Sequence, residues 1–110
     1  MPILPLISYF FGGAFVANAL PHWLSGLMGM AFQSPFAKPA GEGLSSSTVN
    51  VLWGLFNLLV AYFLLARVGH FSLTSGADVL AAFIGMVVAS LVSARHFGRF
   101  HGGRAPSSHE

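Results

Sequence analysis

Cysteine is absent from this chain. That excludes a disulfide framework, a C-x-x-C redox pair, any thiolate metal centre and a C-x-x-C-H haem attachment. Charge is nearly absent too. Lys38, Arg67, Arg95, Arg99 and Arg104 stand against Glu42, Asp78 and Glu110, so charged residues are 7% of the 110. Soluble domains carry roughly 25%. So few charges cannot clothe a water-soluble globule, which argues against a soluble enzyme. What is abundant is apolar surface: 55% of the residues are hydrophobic and the mean hydropathy is +0.72. That much apolar content excludes intrinsic disorder, and the length allows one domain. An all-α integral membrane protein remains.

A bilayer core of ~30 Å needs about 20 helical residues. The uncharged windows predict three transmembrane helices, at about residues 5–20, 48–68 and 77–94. Pro5 fits a first helical turn. Pro21 is expected to interrupt the first helix, because it removes a donor and clashes one turn back. Ser47 or Thr48 is the expected N-cap of the second helix, and Gly69 its stop. Ser75 followed by Asp78 reads as a capping box for the third, which Arg95 and His96 close with the opposite charge.

In a three-span chain the loop after the first helix and the C-terminal tail share a side. Lys38, Arg95, Arg99 and Arg104 fall there, and Arg67 falls on the other. The excess predicts a cell (inner) membrane protein with its N-terminus outside and its C-terminus cytoplasmic. A cleaved signal peptide is the alternative for the first segment, since Ala17-Asn18-Ala19 has the A-x-A form. Residues 1–10 contain no Lys or Arg, which opposes it.

Residues 22–33 are apolar but too short to span, and they read as an interfacial or re-entrant segment after the first helix. Residues 33–47 carry Pro35, Pro39, Gly41 and Gly43, which exclude regular helix. They lack the GxxxxGK[ST] order of a phosphate loop. The expected organisation is one membrane domain, 1–104, with a disordered tail, 105–110.

Asn18-Ala19-Leu20-Pro21-His22, Gly26-x-x-Gly29, Ser34-Pro35-Phe36-Ala37, Gly41-x-Gly43-Leu44-Ser45-Ser46 and Asn50-Val51-Leu52-Trp53-Gly54 lie within residues 12–58. This stretch resembles small uncharacterised bacterial multi-pass membrane proteins. The resemblance implies a small bacterial membrane protein and no particular chemistry.

Polar groups within the spans are few. Asn50 and Asn57 share a face of the second helix, with Trp53 and Gly54 between them. Asn18 and His22 share a face of the first if that helix survives Pro21. In an antiparallel pair both sets come to similar depth, with Asn18 and His22 expected to meet Asn50 and Asn57 to lie deeper. The cluster reads either as interhelical glue or as a polar site with His22 as its titrating group. No nucleophile–base–acid set is visible.

The five histidines give no ligand set. His22 and His70 fall on opposite sides of the membrane, and His96, His101 and His109 sit in or beyond a glycine-rich tail. No metal or cofactor is therefore expected. Ala77, Ala81, Gly85, Ala89 and Ser93 form a small-residue stripe. It suits close packing on the first helix, on a second copy or on another membrane protein. Arg95, Arg99 and Arg104 are expected to contact lipid headgroups rather than nucleic acid.

The expected function is an accessory or scaffolding subunit that acts through helix–helix contacts and is not an enzyme. The alternatives are a holin-like pore-former, which the span count, basic inward tail and length resemble, and a small membrane enzyme or transporter centred on His22.

Overall fold

The computed structural model describes residues 3–104. The tail 105–110, expected to be disordered, lies outside the described residues. Helix α1 covers Ile3–Leu27, α2 Ser47–Ala66 and α3 Gly76–His101. Between α1 and α2 the chain forms two short antiparallel strands, β1 (Phe32–Gln33) and β2 (Leu44–Ser45), with Phe32 opposite Ser45 and Gln33 opposite Leu44. All three helices are long and apolar enough to cross a membrane.

Helix α1 runs through Pro21 and ends at Leu27, where the sequence predicted a break and a separate interfacial segment over 22–33. Local propensity is overruled by packing. His22 and Gly26, both beyond the proline, are buried. A Cβ at Gly26 would overlap Val51 and the carbonyl oxygen of Ser47, so the last turn of α1 is clamped against the start of α2. The Ser25 hydroxyl donates to the Pro21 carbonyl. Proline is tolerated in apolar helices where neighbours and hydroxyl side chains hold the backbone this way. Beyond Leu27 the chain turns at Gly29, whose φ of 74° suits glycine, and then enters β1. No second helix forms there.

Helix α2 starts one residue earlier than expected. Ser46 is its N-cap, its hydroxyl accepting from the Val49 N–H at 3.2 Å. Helix α3 starts as the capping signal predicts, with the Ser75 hydroxyl accepting from the Asp78 N–H at 3.3 Å. The Asp78 carboxylate turns instead to the Ser72 N–H at 3.0 Å. The end of α3 is a larger correction. It continues seven residues beyond the predicted 94 and stops at Gly102, which takes a left-handed φ of 82°. Arg95 and His96 do not end it, because Phe97 and His101 continue its packed face.

Helix α1 is the middle of a three-helix layer: α2 and α3 both pack on it and hardly touch each other. The molecule is accordingly slab-shaped, 49 × 32 × 23 Å. Contact between α1 and α3 is reciprocal and made by glycine. A Cβ at Gly13 would collide with the Ala82 carbonyl, and one at Gly85 with the Phe10 carbonyl. The outer faces are apolar and exposed, including Leu52, Leu55, Phe56 and Leu59 on α2 and Leu80, Phe83, Val88 and Leu91 on α3.

Candidate functional site: a polar centre between the helices

The four polar residues singled out from the sequence are brought together as two pairs. Asn18 donates through Nδ2 to Asn57 Oδ1 at 2.9 Å. His22 Nδ1 lies 2.8 Å from Asn50 Oδ1. The expected contact of Asn18 with Asn50 is corrected by register. In an antiparallel pair, advancing along α1 moves the partner back along α2, and here one turn from 18 to 22 on α1 answers two turns from 57 to 50 on α2. Gly54 permits this approach, since a Cβ there would stand 2.7 Å from the Trp23 backbone nitrogen.

Asn50 is the hub. Its Nδ2 faces the carbonyls of Phe32 (3.1 Å), Ser45 (3.2 Å) and Ser46 (3.0 Å). Phe32 and Ser45 are the directly opposed residues of β1 and β2, so one amide clasps both strands, its own helix and, through His22, α1. Two amide hydrogens serve three carbonyls, so at least one is shared. Asn57 closes the second pair by donating to the Trp53 carbonyl at 2.7 Å. Among the described residues no sealed side-chain nitrogen or oxygen lacks a partner.

The surroundings of His22 are aromatic. Phe32, Trp53 and Phe97 stand edge-on to its ring, with centroids at 5.5, 6.4 and 5.8 Å. Phe32 and Phe97, 4.7 Å apart, also pack together toward the end of α3, and His101 lies parallel to Phe32 at 5.0 Å. His96 donates from Nε2 to the Gly41 carbonyl at 2.6 Å, and His101 Nε2 lies 2.8 Å from Gln33 Oε1. Three histidines thus collect at one end of the molecule, but the phenylalanine rings lie between them. Among the described residues no group of three His, Asp or Glu side chains converges on a point.

The connection 28–46 has its own core. Ser34, buried, shares a hydrogen with Ser45 at 2.5 Å, accepts from the Phe36 N–H at 3.1 Å and offers its carbonyl to the Gly41 N–H at 2.8 Å. Sequence reasoning missed Gln33, Phe97 and His101 around the polar centre. Ser93, Phe97 and His101 are spaced four apart, a helical period that crosses Arg95, and this was the available signal.

The remaining sequence candidates lie on α3 or just beyond it. In the stripe, Gly85 is buried against α1, Ala81, Ala89 and Ser93 are half-buried, and Ala77 is exposed. Arg95 is exposed. Arg99 lies 3.5 Å from Glu42 and 4.9 Å from the Phe100 ring centroid. The Arg104 N–H bonds the Gly98 carbonyl at 3.3 Å. The chain has no match among protein-family models, curated proteins or solved structures.

Proposed function

We propose that this chain is a three-span integral membrane protein of bacterial type, with its N-terminus outside and its C-terminus cytoplasmic, serving as a non-enzymatic accessory or scaffolding subunit. One observation carries the reading. The amides of Asn18, Asn50 and Asn57 are used up in joining helices and loop, while the apolar faces of α2 and α3 point outward. Polar chemistry here is turned inward, to hold the layer together. Most of the surface along α2 and α3 is apolar helix, which suits lipid and membrane-embedded partners. The orientation rests on charge: Lys38, Arg99 and Arg104 share an end with the β1–β2 loop, and Arg67 lies at the other.

Two measurements test this. Cysteine is absent, so Ala40→Cys and Leu73→Cys each give one label site, and Leu73 is 84% exposed. With an impermeant maleimide on intact cells, Leu73→Cys labels and Ala40→Cys stays protected until lysis. The reverse pattern overturns the orientation. For the subunit role, a photo-crosslinking residue at Leu55 or Leu91 yields a discrete protein adduct in the membrane. Lipid adducts alone, or an abrupt collapse of membrane potential on induced expression, would overturn it in favour of a lone protein or a pore.

A further inference from the structure

At the end of the molecule opposite the β1–β2 loop, α1, the end of α2 and the start of α3 enclose a cleft of about 790 Å³. This is within the size range of ligand pockets. Its walls are lined by Tyr9, Arg67, His70 and Asp78, set among Pro5 and Val68. Tyr9 is 2% exposed, with its ring packed edge-on against Phe71 at 5.2 Å. Its hydroxyl makes no hydrogen bond to protein among the described residues, and since no sealed polar atom lacks a partner it opens onto the cleft. A tyrosine with a buried ring normally finds a partner for its O–H, and here the cleft is where one would sit. Gly69 makes the space, for a Cβ there would overlap the hydroxyl oxygen. Arg67, whose side chain is in no ion pair among the described residues, and Asp78 place one charge of each sign on the same cleft.

We propose that this cleft binds a zwitterionic headgroup bearing a phosphate and a primary ammonium, that of a phosphatidylethanolamine-type lipid. The guanidinium fork matches phosphate oxygens, and the tyrosine O–H supplies a further donor beside them. The Asp78 oxygens accept from the ammonium. A ligand of zero net charge meets walls whose formal charges cancel. A quaternary ammonium has no N–H to give Asp78, so the site distinguishes ethanolamine from choline. The cleft lies where α2 ends and α3 begins, the headgroup depth of a chain that spans the bilayer, so the proposal rests on the membrane-spanning reading.

The test uses the full chain purified in detergent, with native mass spectrometry after addition of phosphatidylethanolamine, phosphatidylcholine or phosphatidylglycerol. Phosphatidylethanolamine adducts persist, and the other two bind at least about tenfold more weakly, as expected when a charge-assisted bond is lost. Arg67→Gln and Tyr9→Phe each weaken phosphatidylethanolamine binding by a similar factor. Arg67 is exposed and its side chain makes no hydrogen bond among the described residues, so Arg67→Gln leaves helix content unchanged and keeps the test valid if Tyr9→Phe does not fold. Free phosphoethanolamine that competes at matched concentration identifies the headgroup alone as the ligand. Failure to compete assigns binding to the whole lipid. Equal binding of the three lipids, or no effect of Arg67→Gln, overturns the proposal. Alkaline carbonate extraction separates this from the underlying reading: release into the soluble fraction removes the membrane, whereas retention without lipid selectivity removes only the site.

Discussion

His22 Nδ1 sits 2.8 Å from Asn50 Oδ1, and the three carbonyls around Asn50 Nδ2 decide which end of that amide is which. A nitrogen must face carbonyl oxygens, so the oxygen must face His22. An amide oxygen only accepts, so Nδ1 carries the proton. In the neutral ring Nε2 then holds the lone pair. The tautomer is thereby set by a loop that lies outside both helices.

A spectroscopic expectation results. In protein labelled with ¹⁵N at histidine, neutral His22 gives an Nδ1 resonance of the protonated type and an Nε2 resonance of the unprotonated type. The opposite assignment would show that the Asn50 amide is flipped. Replacement by asparagine puts an N–H donor near the position of Nδ1, so His22→Asn is expected to cost less stability than His22→Leu. Thermal unfolding in detergent reads the order.

Asn50 makes four side-chain hydrogen bonds where Asn18 makes one. At about 0.6 kcal/mol per bond between membrane helices, Asn50→Ala loses roughly 2–3 kcal/mol and Asn18→Ala well under 1 kcal/mol. Asn50→Asp is expected to be worse than either. It puts an oxygen against three carbonyls at 3.0–3.2 Å, exchanging attraction for repulsion. Equal unfolding midpoints for Asn50→Asp and the parent would remove the hub.

Features with a local cause are legible in the sequence, and those with a distant cause are not. The Ser75–Asp78 cap is written in four adjacent residues. The three long apolar helices and the shared face of Asn50 and Asn57 are equally plain. Pro21 misleads because its penalty is local, while the clamp of Gly26 on Ser47 depends on a neighbour twenty-one residues away. The extension of α3 is hidden for a similar reason. Arg95 and His96 look like a terminus, yet Phe97 and His101 are held by Phe32 and Gln33, and those contacts exist only once the loop has folded. The pairing of Asn18 with Asn57 needs the helix register, which composition does not contain.

The reciprocal glycine contact gives a sharp contrast. Gly85→Ala and Gly13→Ala each place a methyl against a backbone carbonyl of the facing helix. Backbone cannot rotate away as a side chain can, so α1 and α3 must separate, at a cost of roughly 1–3 kcal/mol. Gly76, at the start of the same helix, has nothing within 4 Å of its added methyl. Gly76→Ala is therefore neutral or stabilising by up to about 1 kcal/mol. Equal effects of Gly76→Ala and Gly85→Ala on the unfolding midpoint would mean that α1 and α3 do not meet through glycine.

Of the links that tie the end of α3 to the β1–β2 loop, two are sharply unequal. The Arg99–Glu42 pair is 3.5 Å long and both side chains are 44% exposed. Solvent screening reduces such a pair to under about 1 kcal/mol, so Arg99→Gln leaves the loop almost as it was. His101 reaches Gln33, which is 4% exposed, at 2.8 Å, and its ring stacks on Phe32. His101→Ala removes the stacking and strands a buried amide oxygen, a loss of roughly 1–3 kcal/mol. Hydrogen exchange of the backbone amides in residues 32–45 is expected to accelerate in His101→Ala, from about fivefold to more than a hundredfold over that range, and to change little in Arg99→Gln. If the ion pair mattered more, the ranking would invert, and the loop would be held by surface charge rather than by the His101–Gln33 and His101–Phe32 contacts.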